Sequence, residues 1–480
     1  MEIMSFKRLL LLLIIHCVSV VANSQPQADS LLLYLGIAAK NNPVVLQKYS
    51  EYQAALQKVP QVGSLPDPEV SAGIFLSPME IISGKQVAEF RIMQMFPWFG
   101  VLKNARDEMS LMANAKYESF QDAKLQLFYD VQRTWYELYK TRQDIHISEK
   151  NIEILRTIER MALVKFRTAS DIGGGYSSSS MNPALSVQSR STAGGSSGMN
   201  NMSGNTGSTL NQPSVSMQSN NMGSSSGGSG LADLYRIQIE IGDLENNIEL
   251  LRNQQSTIIA RFNSYLNRPS QSGIAIIDTL QPDTLSRSLL AVSDSMLRNN
   301  PMLGMLQFEQ QSLDARKKMV ARMGYPMVGF GVNYSLIDKS AMSTSPMNGK
   351  DMIMPMVTVT LPIYRKKYKS MQTEADLMKS ATAQNYNAIT NSLHTEYYEA
   401  VQLYHDARRR ITLFSNQYSL ANKTLDIMLK SFAGSGSGLT DILRIRQQTL
   451  DYEYKQIEAV SDYNTAIAWL QRLMAFSQIK

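Results

Sequence analysis

Thiol and imidazole chemistry is nearly absent from this chain. A single cysteine, Cys17, occurs in 480 residues, so no disulfide and no cysteine metal cluster can form within one chain. Beyond the N-terminal stretch the histidines are His146, His394 and His405, and the last two would lie about 16 Å apart on one helix. No Ser/His/Asp or Cys/His arrangement and no phosphate-binding loop appears, so no enzyme and no cofactor is expected. Long apolar runs are missing too. Mean hydropathy is −0.20, and nothing after residue 24 is apolar enough for a membrane-spanning helix, so any membrane crossing must use strands. The net charge of +6 is small for the length and its basic residues are not clustered, which argues against a nucleic-acid partner.

Residues 1–24 read as a secretory signal peptide: Lys7-Arg8, an apolar core from Leu9 to Val18, then Ala22-Asn23-Ser24 before Gln25. Cleavage there would remove Cys17; a lipid-modified Cys17 is the alternative, and His16, where a small residue is expected, speaks against it.

The remainder is a duplication. Asn41-Asn42-Pro43 returns as Asn299-Asn300-Pro301, and Gly230-Leu231-x-Asp233-x-x-Arg236 returns as Gly438-Leu439-x-Asp441-x-x-Arg444. The first repeat, residues 25–284, is predicted to hold a helix from Ser30 to about Val59, a β-hairpin at 68–96 and a long helix at 98–169. An insert at 172–229, a helix at 231–266 and an equatorial segment at 267–284 complete it. The second repeat, residues 285–480, mirrors it: a helix from Leu285 to about Met323, a hairpin at 326–361, a long helix at 363–432, a tip at 433–438 and a helix at 439–478.

The hairpins follow from alternation with period two. Ala88, Phe90, Ile92 and Phe96 share one face while Glu89, Arg91, Met93 and Met95 share the other; Ile353, Val357, Val359 and Leu361 likewise oppose Met354, Met356, Thr358 and Thr360. Each strand spans about ten residues, enough to cross a bilayer when tilted, with an apolar face for lipid and a polar or sulfur-bearing lumenal face. Four strands leave two unpaired edges that lipid cannot tolerate, so several copies must combine, and three copies give a barrel of about twelve strands.

The helices follow from the period of 3.5. Leu393, Tyr397, Ala400, Tyr404, Ala407, Ile411, Phe414, Tyr418, Ala421, Leu425 and Met428 form an unbroken coiled-coil seam. Each long helix of about 70 residues reaches about 100 Å, and the shorter helices, at about half that length, are expected to stack in pairs beside it. The pairing expected is 231–266 on 285–323, and 439–477 on 30–59. Gly434, Gly436 and Gly438 are assigned to a tight, flexing interhelical turn that needs positive φ. The insert, rich in Ser, Gly and Asn, has too few apolar residues to pack and is expected to lack fixed structure.

Hairpin, long helix, tip and returning helix, twice over behind a signal peptide, resembles the TolC family of outer-membrane efflux proteins. The motifs that carry the resemblance are the duplicated Asn-Asn-Pro helix, Phe96-Pro97-Trp98-Phe99-Gly100, the tip from Phe432 to Leu443, and Leu266-Asn267-Arg268-Pro269. The resemblance covers essentially all of the mature chain. It implies a mainly α fold with a small β part: a homotrimer with a twelve-stranded β-barrel in the outer membrane of a Gram-negative bacterium and a coiled-coil α-barrel in the periplasm. Its partners would be outer-membrane lipid, a periplasmic adaptor protein and an inner-membrane pump, of the resistance-nodulation-division type. In some members the second tip carries Asp-x-x-Asp, whose carboxylate rings constrict the pore and bind cations. Here Asp441 keeps the first position and Arg444 replaces the second. Asp441 reads equally well as an N-terminal residue facing the helix dipole.

The insert carries Met181, Met199, Met202, Met217 and Met222. Thioether sulfur suits monovalent copper or silver, so heavy-metal efflux, as in the copper/silver branch of the family, is the expected function. General methionine richness is the plainer explanation, and export of organic toxins or peptides is the alternative. A secreted trimeric coiled-coil adhesin or stalk would share the signal peptide and heptads but needs no amphipathic hairpins.

Overall fold

The computed structural model describes residues 30–172, 229–285, 288–433 and 438–475. The signal peptide with Cys17, the insert methionines Met181, Met199, Met202, Met217 and Met222, and Gly434 and Gly436 at the tip lie outside the described residues.

In each repeat the helix containing Asn-Asn-Pro, expected as one continuous element, is two. In the first, α1 (Ser30–Asn41) gives way to α2 (Pro43–Gly63). Asn42 is the cap: its Oδ1 accepts from the amides of Val44 at 3.0 Å and Val45 at 3.3 Å, and Pro43 supplies a first helical residue that needs no donor. Asn42 Nδ2 also donates to the Tyr265 carbonyl at 2.9 Å, so the break is tied to a helix 223 residues away in sequence. In the second repeat, α5 (Leu289–Asn299) and α6 (Pro301–Met323) meet at Asn300 in the same way, with Oδ1 accepting from the Met302 amide at 2.9 Å. A motif read as helix interior is thus a capped joint.

The hairpins are β1 (Glu69–Ile81) with β2 (Gly84–Phe96), and β3 (Met327–Asp338) with β4 (Met352–Thr360). They join through β2 and β3 into one antiparallel sheet of order β1-β2-β3-β4, leaving β1 and β4 as edges. The first two strands, at 13 residues, are longer than expected, partly because a register shift between Ile74 and Met79 inserts extra residues. Gly84 opens β2 at φ +125°, where a Cβ would collide with the Asp338 carbonyl.

Two long helices descend from the sheet: α3 (Val101–Ile172), 72 residues, and α7 (Arg365–Ala433), 69 residues. At 1.5 Å per residue each is about 105 Å long. The returning helices are α4 (Ser229–Tyr265) and α8 (Leu439–Leu473). The seam of α7 is covered as its spacing requires, with Leu393, Ala400, Ala407, Ala421 and Leu425 buried.

The stacking partners are the reverse of those expected. The end of α4, with Phe262 and Leu266, packs with Tyr34 and Leu35 of α1 around Val131 and Trp135 of α3. Tyr34 and Phe262 meet edge to face at 5.2 Å. The end of α8, with Leu470, Leu473 and Met474, packs with Val292 and Met296 of α5 against Leu393 and Ala400 of α7. Each returning helix therefore meets the short helices of its own repeat. The connecting segment straps the waist: the Leu280 amide donates to the Tyr139 hydroxyl at 3.0 Å, and Asn464 Oδ1 accepts from the Asp283 amide at 2.8 Å.

Candidate functional site: the sheet face and the helix tips

Residues paired across an antiparallel ladder point to the same face, so the register sorts the sheet directly. One face carries Phe90, Ile92, Phe96, Phe330, Val332, Val357 and Val359, all exposed. Gln94 interrupts it, its amide donating to the Pro66 carbonyl at 2.8 Å, and Tyr334 on the same face donates its hydroxyl to Asp351. The other face holds Glu89, Arg91, Met93 and Met95 on β2 opposite Ser335, Asn333, Gly331 and Gly329 on β3. Met354 and Met356 of β4 pair with Asn333 and Gly331 on that same face. All six residues expected on one face are together there. Glu89 and Arg91 form an ion pair at 3.0 Å, which neutralises the only charges of the set.

Where sheet meets helix, Phe96, Pro97, Trp98, Phe99, Leu65 and Phe330 line an apolar groove of about 550 Å³. Trp98 stacks on Tyr325 with centroids 5.4 Å apart, and Phe99, Ile363 and Tyr364 stand exposed beside it. Basic residues follow at once, with Arg365, Lys366, Lys367 and Lys369 opening α7.

At the far end the tips of the two repeats share one apolar cluster, in which Leu155, Ile158, Ile237, Leu425, Leu439, Ile442 and Leu443 are buried. The twin Asp/Arg pairs, identical in sequence spacing, are used differently. Asp441 and Arg444 close on each other at 3.4 Å on the surface of α8. Asp233 and Arg236 reach across instead: Arg236 Nη1 donates to Thr440 Oγ1 at 3.1 Å, and that hydroxyl donates to Asp233 Oδ1 at 3.4 Å. One residue of the second tip is therefore held by two of the first. Gly438 does not have the conformation assigned to it. It sits at φ −75°, ψ 142°, extended backbone open to any residue, and is the N-cap of α8 with no side-chain bond. A Cβ there would stand 3.8 Å from the Asp441 carboxylate, an ordinary contact.

Between tip and waist lies a polar layer that the spacing did not reveal. Arg446 of α8 is only 5% exposed, and its Nε donates to Asn151 Oδ1 on α3. Burial pulls its guanidinium below the usual arginine range, with Glu453 and Tyr418 pulling the other way. One turn along, the Ser148 and Tyr454 hydroxyls share a hydrogen bond and Ser148 also donates to the Asp144 carbonyl at 2.7 Å. Asp144 Oδ1 is buried with no hydrogen-bond partner among the described residues. Burial pushes the Asp144 carboxyl up to about 7, with Lys140 lowering it and Glu458 raising it further. Among the described residues no group of three or more His, Cys, Asp or Glu side chains is placed to hold a metal ion, and no helix is long and apolar enough to cross a membrane.

This architecture has counterparts among solved structures. The fold is the TolC-like outer-membrane channel fold. The outer membrane protein VceC of Vibrio cholerae superposes with a TM-score of 0.66 at 11% identity, over 93% of this chain and 96% of that one. CusC, described as undergoing conformational changes on folding and transmembrane channel formation, gives 0.66 at 12% identity over 94% and 92%. The open state of the MtrE outer membrane channel of Neisseria gonorrhoeae gives 0.65 at 12% identity over 93% and 89%. No family model matches the sequence, and no curated protein matches it.

Proposed function

We propose that this chain is one third of a passive outer-membrane exit duct: a homotrimer that receives cargo from a periplasmic adaptor and an inner-membrane pump and releases it outside. The observation that carries the reading is the four-stranded sheet with one apolar face and two free edges, set on helices of about 105 Å. Three copies would pair β1 of one with β4 of the next, remove every edge and close twelve strands, with the face of Val332 and Val357 in lipid and that of Glu89 and Arg91 around water. The groove around Trp98, its exposed aromatic neighbours and the basic start of α7 suit the membrane–water boundary on the helix side.

The cargo is proposed to be monovalent copper or silver. Support comes from the methionines of the insert and from those on the polar face of the sheet, since soft ions prefer thioether sulfur. The tip argues for the second reading, organic cargo: Asp441 is spent on Arg444 rather than left free for a cation ring. The test is growth of a strain lacking the gene on copper and silver salts beside detergents and dyes, complemented by the full gene or by one without the insert. Selective metal sensitivity relieved only by the full gene is the expected result. Dye and detergent sensitivity relieved equally by both genes would assign organic cargo.

A further inference from the structure

We propose that the polar face of the sheet itself carries a binding site for monovalent copper or silver, built from Met93 and Met95 on β2 and Met354 and Met356 on β4. The site rests on the metal-cargo reading and goes beyond it by placing the ion on the barrel wall rather than in the insert.

Register places the four methionines on one face, over three successive rungs. Met93, Gly331 and Met356 form one rung of the ladder; Arg91, Asn333 and Met354 form the next on the same face; Met95, Gly329 and Thr358 form the one before. The strand between the two methionine pairs thus carries glycine at the one rung, Gly331, that has methionine on both sides, and again at Gly329 beside Met95. The sulfur of Met93 lies over that strand, 3.2 Å from where a Gly331 Cβ would stand and 3.3 Å from a Gly329 Cβ, and Met95 Sδ would collide with a side chain at Gly329. With strands about 4.8 Å apart, β2 and β4 are separated by about 10 Å, a gap that two methionine side chains reaching toward each other span. At the Gly331 rung only bare backbone lies beneath.

Core filling does not account for Met354: methionine fills irregular gaps in cores, but this residue is 45% exposed and no described element covers it. Along the paired rungs from Glu89 to Phe96, Val328 to Leu336 and Ile353 to Val359, the apolar face has Phe, Ile, Val, Leu, Tyr, Pro and one Gln, and no methionine. The sulfur is confined to the side away from lipid. The surroundings favour a cation: Glu69 of β1 pairs with Met93 in the same rung, and Glu89 neutralises Arg91. Asn333, beside Met354, has a buried Oδ1 with no hydrogen-bond partner among the described residues, and so offers a carbonyl oxygen next to the sulfurs. Thioether ligands favour monovalent copper and silver over zinc or magnesium.

The experiment is silver binding to the full-length trimer in detergent, counted by mass spectrometry of the metal after gel filtration in graded thioether competitor. It compares wild type, the variant with Met93→Leu, Met95→Leu, Met354→Leu and Met356→Leu, and one with the five insert methionines changed to Leu. The wall variant is expected to lose at least tenfold in affinity for one silver ion per chain, while the insert variant retains it. Equal silver binding by the wall variant and wild type overturns the site. Met356→Leu alone, on the edge strand, provides a milder change expected to weaken silver severalfold if the fourfold variant does not assemble; no weakening there overturns it too. Silver bound at the wall in a protein whose deletion leaves metal resistance unchanged would refute the cargo reading and leave the site standing.

Discussion

Asp144→Asn should make this protein more stable at pH 8 and leave it nearly unchanged at pH 4.5. The Asp144 carboxyl is pushed by burial up to about 7, against an ordinary value near 4 in the unfolded chain. Between those values the folded chain binds the extra proton, so stability falls as pH rises through the window and the penalty is complete above it. Three units at about 1.4 kcal/mol each set a ceiling of about 4 kcal/mol per chain, and incomplete dehydration of the site reduces the expectation to about 1–3 kcal/mol. Asparagine has the same shape, carries no charge, and can donate to the neighbouring groups. Thermal unfolding of the detergent-solubilised protein, at pH 4.5 and 8 for both variants, gives the answer. Glu453, Asp122 and Asp130 are also raised by burial and contribute the same slope to both, so only the difference between variant and wild type counts. Curves that fall in parallel would refute the burial of charge at Asp144.

Three further outcomes are expected. Asn42→Ala removes the cap of α2 and the tie to the Tyr265 carbonyl, and should cost about 1–3 kcal/mol in thermal unfolding, whereas Asn42→Asp, which keeps the cap, should cost less. Arg446→Ala strands Asn151 in a buried site and should cost about 2–4 kcal/mol by denaturant titration, with Arg446→Met plus Asn151→Leu recovering much of it. Gly84→Ala, at positive φ against the Asp338 carbonyl, should cost at least about 1 kcal/mol and lower the yield of assembled protein, while Gly438→Ala should be tolerated.

The sheet was legible because its signal is local: period two placed Glu89, Arg91, Met93 and Met95 together, and the pleat allows no other arrangement. The α7 seam was legible for the same reason. What failed depended on contacts distant in sequence. Asn-Asn-Pro looks like helix interior until the side chain of Asn42 is seen capping the next helix and holding Tyr265. Length alone could not decide which short helix stacks on which, since 231–266 and 439–477 are interchangeable by that measure; Phe262 against Tyr34 decides it. Gly438 was assigned positive φ from composition, but a helix cap needs only extended backbone. The layer of Asp144, Ser148, Asn151 and Arg446 reads in sequence as the wet side of a helix. Only the fold shows that this side is covered.

Three copies are expected to close one barrel. Native mass spectrometry of the protein released by detergent from the outer-membrane fraction tests it directly. Three chains, released only by detergent and dissociating on heating, is the result expected from a sheet with two free edges and one apolar face. A monomer, or release by salt without detergent, would contradict it.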